Sequence, residues 1–370
     1  MEMKLMFMKW GLNDMNKRKR LLTLLINGVL MSSLCIAYAA PDNNPGSGSG
    51  VAIGTGSNAP KTENVAVGKG AGISYSNGAS NATGDIVVGN GANINNYASQ
   101  GGSVAIGKNA KIENMAGGVE ASFALGQTTF SGSWFSSARI PADPTKVVGS
   151  VAIGDNTFAR TGSTMIGSHN YKGKLGDIDV DSATTRTYAL NAYATTIGAN
   201  SFSNGAFTTN TGVYNIMSSE YNGGRLANPL KNFGATITGS LNSIESQTAT
   251  NRYAGIANSI VGTANRTFNS NGSIVMGAGN EITNSITTIS APSDGGNSAK
   301  ALADNLRGAI KDSKSGGATM ALGGGNKADY TLRTSIIGVN NTITGASGDE
   351  STNNLSMGVD NTADKVKNTT

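Results

Sequence analysis

One short motif returns along most of this chain. Three residues, mostly apolar or small, are closed by a glycine. The pattern ends at Gly54, Gly68, Gly89, Gly107, Gly126, Gly154, Gly167, Gly198, Gly262, Gly277, Gly323, Gly338 and Gly358. The shortest gaps between these glycines are 13, 14 and 15 residues, and the longer gaps read as the same unit with material inserted. A period near 14 is too long for one strand and too short for a helix pair. It suits one coil of a solenoid, with two short strands and two turns. The expected class is therefore all-β: a parallel β-roll with loop insertions. A second strand per coil is visible in "NEITNSI" after Gly277 and "NTITGAS" after Gly338.

Alternation within the motif divides each strand into two faces. In Val51-Ala52-Ile53, Val104-Ala105-Ile106, Phe123-Ala124-Leu125 and Met320-Ala321-Leu322, the outer two residues share one face and the middle residue takes the other. The expectation is that the large residues, among them Ile53, Ile106, Ile153 and Ile337, fill the coil interior. Gly54, Gly107, Gly154 and Gly338 then take turn conformations that a Cβ makes costly. The middle residues Ala52, Ala66, Ala105, Ala124, Ala152 and Ala321 would form an outward column of small side chains. One coil encloses few apolar groups, so this column is expected to seat another copy of the chain. Burial there adds roughly 25 cal/mol per Å² of apolar surface. A closed rotational assembly would use the face fully, and the sequence leaves the number of subunits open.

Residues 1–39 read as a secretory leader with a long n-region, starting at Met1 or Met15. A basic run at Lys17–Arg20 is followed by an apolar stretch from Leu21 to Ile36 and the small-x-small site Ala37-Tyr38-Ala39. Residues 40–50 are a Gly/Ser/Pro-rich linker. The leader takes six of the 28 basic and two of the 23 acidic residues, leaving 22 and 21. A net charge near +1 gives no support to nucleic-acid or polybasic membrane binding. The one cysteine, Cys35, lies in the leader, and the one histidine is His169. Disulfides, thiol chemistry, a His-rich metal site and a Ser-His-Asp triad are thereby disfavoured. No catalytic, cofactor or metal residue is assigned, and no enzyme activity is expected.

The repeats "SVAIGKNAKI" and "SVAIGDNTFA" resemble the head of the trimeric autotransporter adhesins, the YadA-like members of the type Vc secretion family of Gram-negative bacteria. The resemblance spans roughly residues 51–363. It implies a left-handed parallel β-roll, a homotrimer, and display on the outer membrane through a C-terminal anchor. It also implies a virulence role, binding a host matrix protein or an epithelial receptor such as an Ig-like CEACAM-type glycoprotein. Residues 364–370 are expected to begin a neck or stalk. Neither an Asp-Ala-Val-Asn-Val neck nor the four anchor strands follow, so the chain reads as a head taken from a longer protein or as an atypical member. Two other classes compete. A structural spacer shares the fold. A left-handed β-helix acyltransferase needs a hexapeptide period and usually a catalytic histidine.

Repeats make a scaffold, so recognition is expected on the insertions, at about 127–149, 168–194, 199–257 and 281–318. The first holds Trp134, Phe135, Arg139 and Ile140, a set enriched at binding hot spots. The second holds His169, Tyr171, Tyr188 and Tyr193; His169 is read as a turn or surface residue. Asp177, Asp179 and Asp181 share one face there, in the manner of a solvated hairpin edge rather than a Ca²⁺ loop. The third holds Tyr221 and Arg225, with Tyr214 and Phe233, in degenerate coils or a protruding subdomain. The fourth carries one helix in "NSAKALADNLRGAIKDS", with Ala301, Leu302, Leu306 and Ile310 near helical spacing. Gly54-x-Gly56-x-x-Ala59 has dinucleotide spacing, but Pro60 follows it instead of a helix, so these glycines are read as coil turns.

Overall fold

Short β-branched runs closed by glycine do become strands, and they stack. The structure, a computed structural model, describes residues 46–75, 82–96, 101–114, 148–160, 162–169, 191–218, 232–246, 254–286, 299–312 and 318–370. Fourteen strands, from Val51–Ile53 to Leu355–Val359, lie in chain order in one all-parallel sheet. Successive motifs are in register: Ile53 sits beside Val67, and Gly338 beside Gly358. A second wall is formed by a four-stranded sheet, Gly72–Tyr75 to Phe158–Arg160, and a seven-stranded sheet, Ile216–Ser218 to Thr362–Asp364. Short pairs close a third corner, as between Thr331–Leu332 and Ser351–Thr352. Residues 46–370 form one compact unit. At the two ends of this unit further bridges extend the end coils: Ser47 bridges Asn58, and Thr352 bridges Lys367.

The interior is the reverse of the sequence expectation. Ala66, Ala105, Ala152 and Ala321 are fully buried within the coil, and Ala52 packs against the same cluster. Ile53 and Ile106 are 45% and 38% exposed, while Ile153 and Ile337 are half-buried. The alanine column is thus core, and the large flanking residues point outward. The reason is the width of the coil. The middle residue of each first-wall strand must meet a residue of the second wall, and isoleucines stand there: Ile73, Ile94 and Ile112 in one half. Alanine opposite isoleucine fills a narrow slot. Farther on, Ile237, Ile260 and Ile336 share the slot with Ile244, Ile282 and Ile343. Ala124 lies outside the described residues.

The glycine column behaves as expected with two additions and one correction: Val104–Ile106 pairs directly with Val151–Ile153 and Gly107 stacks on Gly154, so the motif ending at Gly126 adds no coil between them. Gly54, Gly107, Gly154 and Gly338 have φ of 116°, 131°, 126° and 128°. A Cβ on Gly198 would lie 1.6 Å from the carbonyl oxygen of Gly212, so the stack tolerates no side chain. Gly212 and Gly239 belong to this column, closing strands Thr209–Val213 and Thr236–Ser240. The interval 199–257 therefore holds full coils as well as inserted chain. Gly126 lies outside the described residues.

From Thr209 on, the first-wall strands lengthen from three residues to five, and each turn changes chemistry. Asn215, Asn242, Asn265, Asn280, Asn326, Asn341 and Asn361 stack in a ladder. Each Oδ1 accepts from the backbone N–H and the side-chain amide of the next asparagine, as Asn265 Oδ1 does from Asn280 at 3.0 Å and 3.0 Å. The amide also donates to the next glycine carbonyl, as Asn265 to Gly277 at 2.8 Å. Six of the seven earlier coils place Ser57, Ala71, Ala92, Ala110, Thr157 and Ser201 at this position; the seventh has Asn170, which lies outside the described residues.

Candidate functional site

The described residues that flank the inserted chain fall on one edge of the roll. Tyr75, Asn114, Ser218, Glu245 and Thr283 each end a second-wall strand, and additional chain follows each of them within a few residues. Parallel, registered strands place their C-terminal ends along a common line. The interval 170–190 is an exception, entering before the third-corner strand Asn191–Ala192. Trp134, Phe135, Arg139, Ile140, Tyr171, Tyr188, Tyr221 and Arg225 lie outside the described residues, as do Asp177, Asp179 and Asp181.

Tyr193 is the one aromatic candidate that the structure places. It sits at φ 50° on the third corner, and Phe207 occupies the equivalent site one coil later at φ 56°. Left-handed backbone is unfavourable for such bulky residues. Here the rings compensate by stacking, with centroids 5.5 Å apart, and Phe207 meets Phe233 at 5.4 Å. Burial pushes the Tyr193 phenol pKa up, and among the described residues its buried hydroxyl has no hydrogen-bond partner.

Two charged clusters on the second wall escaped the sequence reading. Glu113, which is 3.1 Å from Arg160 and 2.6 Å from Lys111, lies on the strand Lys111–Asn114, the last described strand before the interval that carries Trp134. Both cations lie over the Phe158 ring, at 5.6 and 5.3 Å. In the other half, Arg266 holds Glu245 at 3.0 Å and Glu281 at 2.7 Å, and these two carboxylates raise its pKa still further. The signal was available: in "KIEN" and "NEIT" charged residues alternate with apolar ones on registered strands.

His169 occupies a turn, as expected, but it is 3% exposed rather than at the surface. Its Nε2 lies 2.7 Å from the Ser201 carbonyl and donates to it, so this nitrogen is not available as a base. Among the described residues, no group of three His, Cys, Asp or Glu side chains could hold a metal ion. Gly54 and Gly56 are turn residues, at φ 116° and 72°, stacked on the next coil. The helix Ala299–Asp312 forms where the spacing placed it, and Leu306 approaches Gly234 on the third corner.

Of the 17 exposed large hydrophobic residues among the described residues, 14 lie on strands of the fourteen-stranded sheet, so apolar exposure is concentrated on its outer face rather than scattered. They run from Val51 and Ile53 through Ile106, Ile197 and Met276 to Met357. The chain matches no known protein family, no curated protein and no solved structure.

Proposed function

We propose that the protein is the head of a bacterial surface adhesin: three copies of a left-handed parallel β-roll, exported, displayed at the outer membrane and binding a host receptor or matrix protein. The observation that carries this reading is a division of labour on the surface. One wall presents a long, largely apolar face, and the edge of the other bears the inserted chain. Thirteen steps between fourteen strands, at about 4.8 Å each, make that face about 60 Å long. Strands about 10 Å long bring its area toward the roughly 800 Å² per partner of a stable interface. Self-association covers the apolar wall and leaves the insertions free to meet a ligand. No catalytic role is assigned.

The test is binding of the purified chain to a panel of host matrix proteins and Ig-like epithelial glycoproteins. It is compared with a variant in which residues 131–146 are replaced by a short Gly/Ser linker. Aromatic and arginine anchors at a hot spot contribute about 2 kcal/mol or more, so the variant should bind at least thirtyfold more weakly while its oligomeric mass is unchanged. If the intact chain binds no member of the panel, the adhesion reading fails and a structural spacer is left.

A further inference from the structure

The outward face carries a column formed by the third residue of each first-wall strand. In register it reads Ile53, Val67, Val88, Ile106, Ile153, Ile166, Ile197, Thr211, Thr238, Val261, Met276, Leu322, Ile337 and Met357. Twelve coils present an aliphatic residue or methionine. Only two adjacent coils present threonine, and both hydroxyl-bearing residues are exposed. The first-position column carries hydroxyls more widely, at Thr164, Thr195, Thr209, Thr236, Ser259 and Ser335, so the localised break is that of the third position. The middle residues of these coils, Asn210 and Ile237, are buried, so Thr211 and Thr238 belong to the outer face alone.

We infer that this threonine belt fixes the axial register in which copies of the chain associate, an inference that rests on the self-association proposed above. Coils are nearly identical, so an apolar face of this kind can slide by one coil, about 4.8 Å, and still bury apolar surface. The belt breaks the degeneracy. In register, hydroxyls of one copy meet hydroxyls of another, and each can both donate and accept. A slip of one coil sets one of Thr211 and Thr238 in each copy against Ile197 or Val261. A slip of two coils sets both of these third-position threonines against apolar side chains, where a buried hydroxyl is left unpaired. Seven coils precede the belt and five follow it. A parallel, in-register arrangement is thus the one that matches belt to belt and pairs all fourteen coils. A single polar layer plays the same part in helical assemblies, giving up some stability for uniqueness.

The experiment uses the full chain in a Cys35→Ser background. Copies carrying Val88→Cys are co-expressed with copies carrying Ile153→Cys, then oxidised and peptide-mapped. These sites lie two coils apart, about 9.6 Å, which is too far for a disulfide in register. A mixed 88–153 bond between copies therefore reports a slip. With the native belt, like-with-like bonds should exceed mixed bonds at least tenfold. With Thr211→Val and Thr238→Val, mixed bonds should rise to a comparable yield at unchanged oligomeric mass. Adding Ile166→Thr and Ile197→Thr to that variant builds a new belt two coils away and should restore like-with-like pairing. Equal fidelity with and without the native belt, or no recovery with the displaced one, overturns the inference alone. A monomeric chain overturns the self-association reading and this inference with it.

Discussion

At the scale of single residues, two glycines separate geometry from composition. A Cβ on Gly239 would lie 1.8 Å from the carbonyl oxygen of Gly262, at a φ of 134°. Gly308, inside the helix Ala299–Asp312, has nothing within 4 Å of a built Cβ. Gly239→Ala should therefore destabilise by about 3 kcal/mol or more, as a backbone clash and an unfavourable φ combine. Gly308→Ala should stabilise the helix by about 0.5–1 kcal/mol. Urea unfolding checks the first and amide exchange along the helix the second. Asp85 makes a prediction in pH. It is fully buried and accepts from the Ser103 N–H at 2.9 Å and the Asn96 amide at 2.8 Å. Among the described residues no cation offsets its burial, which pushes its carboxyl above the usual range, although the two hydrogen bonds act against this. The folded state then holds the proton more tightly than the unfolded state. Stability from this site grows as pH falls through the folded pKa, and levels off below the unfolded value of about 3.9. The Tm difference between the chain and Asp85→Asn should move in favour of the chain as pH falls from neutral toward the unfolded value of about 3.9. A constant difference would refute it.

Among the repeated elements, the asparagine ladder couples one coil to the next. Asn265 donates two side-chain hydrogen bonds and accepts two, whereas Asn361 ends the run and is exposed. Asn265→Ala leaves the Gly277 carbonyl and both Asn280 donors without their partner. The expected cost is about 3–5 kcal/mol, against about 1 kcal/mol for Asn361→Ala. Equal denaturation midpoints for the two variants would contradict a cooperative ladder. The ladder also shows what the sequence made legible. The repeat, the parallel pairing, the glycine turns and the helix follow from spacing, because period and registered stacking are properties of the string itself. The polarity of the coil does not. Alternation says that Val104 and Ile106 share a face, but not that this face is outside. The slot width set by Ile94 and Ile112 on the other wall decides that. The coils at Thr209–Val213 and Thr236–Ser240 were hidden because threonine and asparagine replace the aliphatic signature there. Gly-x-x-Asn, repeated from Gly212 to Asn361, was the signal that would have found them. The site was less legible still. Tyr193 could be named as an aromatic candidate, but its partner Phe207 could not, since their stacking depends on matching corners of successive coils.

For the whole molecule, the consequence of the reversed polarity is a pair of neighbouring substitutions with opposite outcomes. Ala105 is fully buried between the walls, and Ile106 beside it is 38% exposed on the outer face. A carboxylate at position 105 would have to enter a slot without room or partner, so Ala105→Glu should disrupt the coil itself and lower Tm steeply. At position 106 the same carboxylate stands in water when the chain is alone. It loses that water only when another copy covers the face. Ile106→Glu should leave the β-sheet circular dichroism of the chain intact and shift its mass by light scattering toward the monomer. Had the alanine column been the association face, the two phenotypes would be exchanged: Ala105→Glu would give a folded monomer and Ile106→Glu an unfolded chain. Measuring both variants for mass and melting therefore distinguishes a roll that associates through its large residues from one that associates through its small ones. If Ile106→Glu keeps the native oligomeric mass, the outer face of this sheet is not where the copies meet.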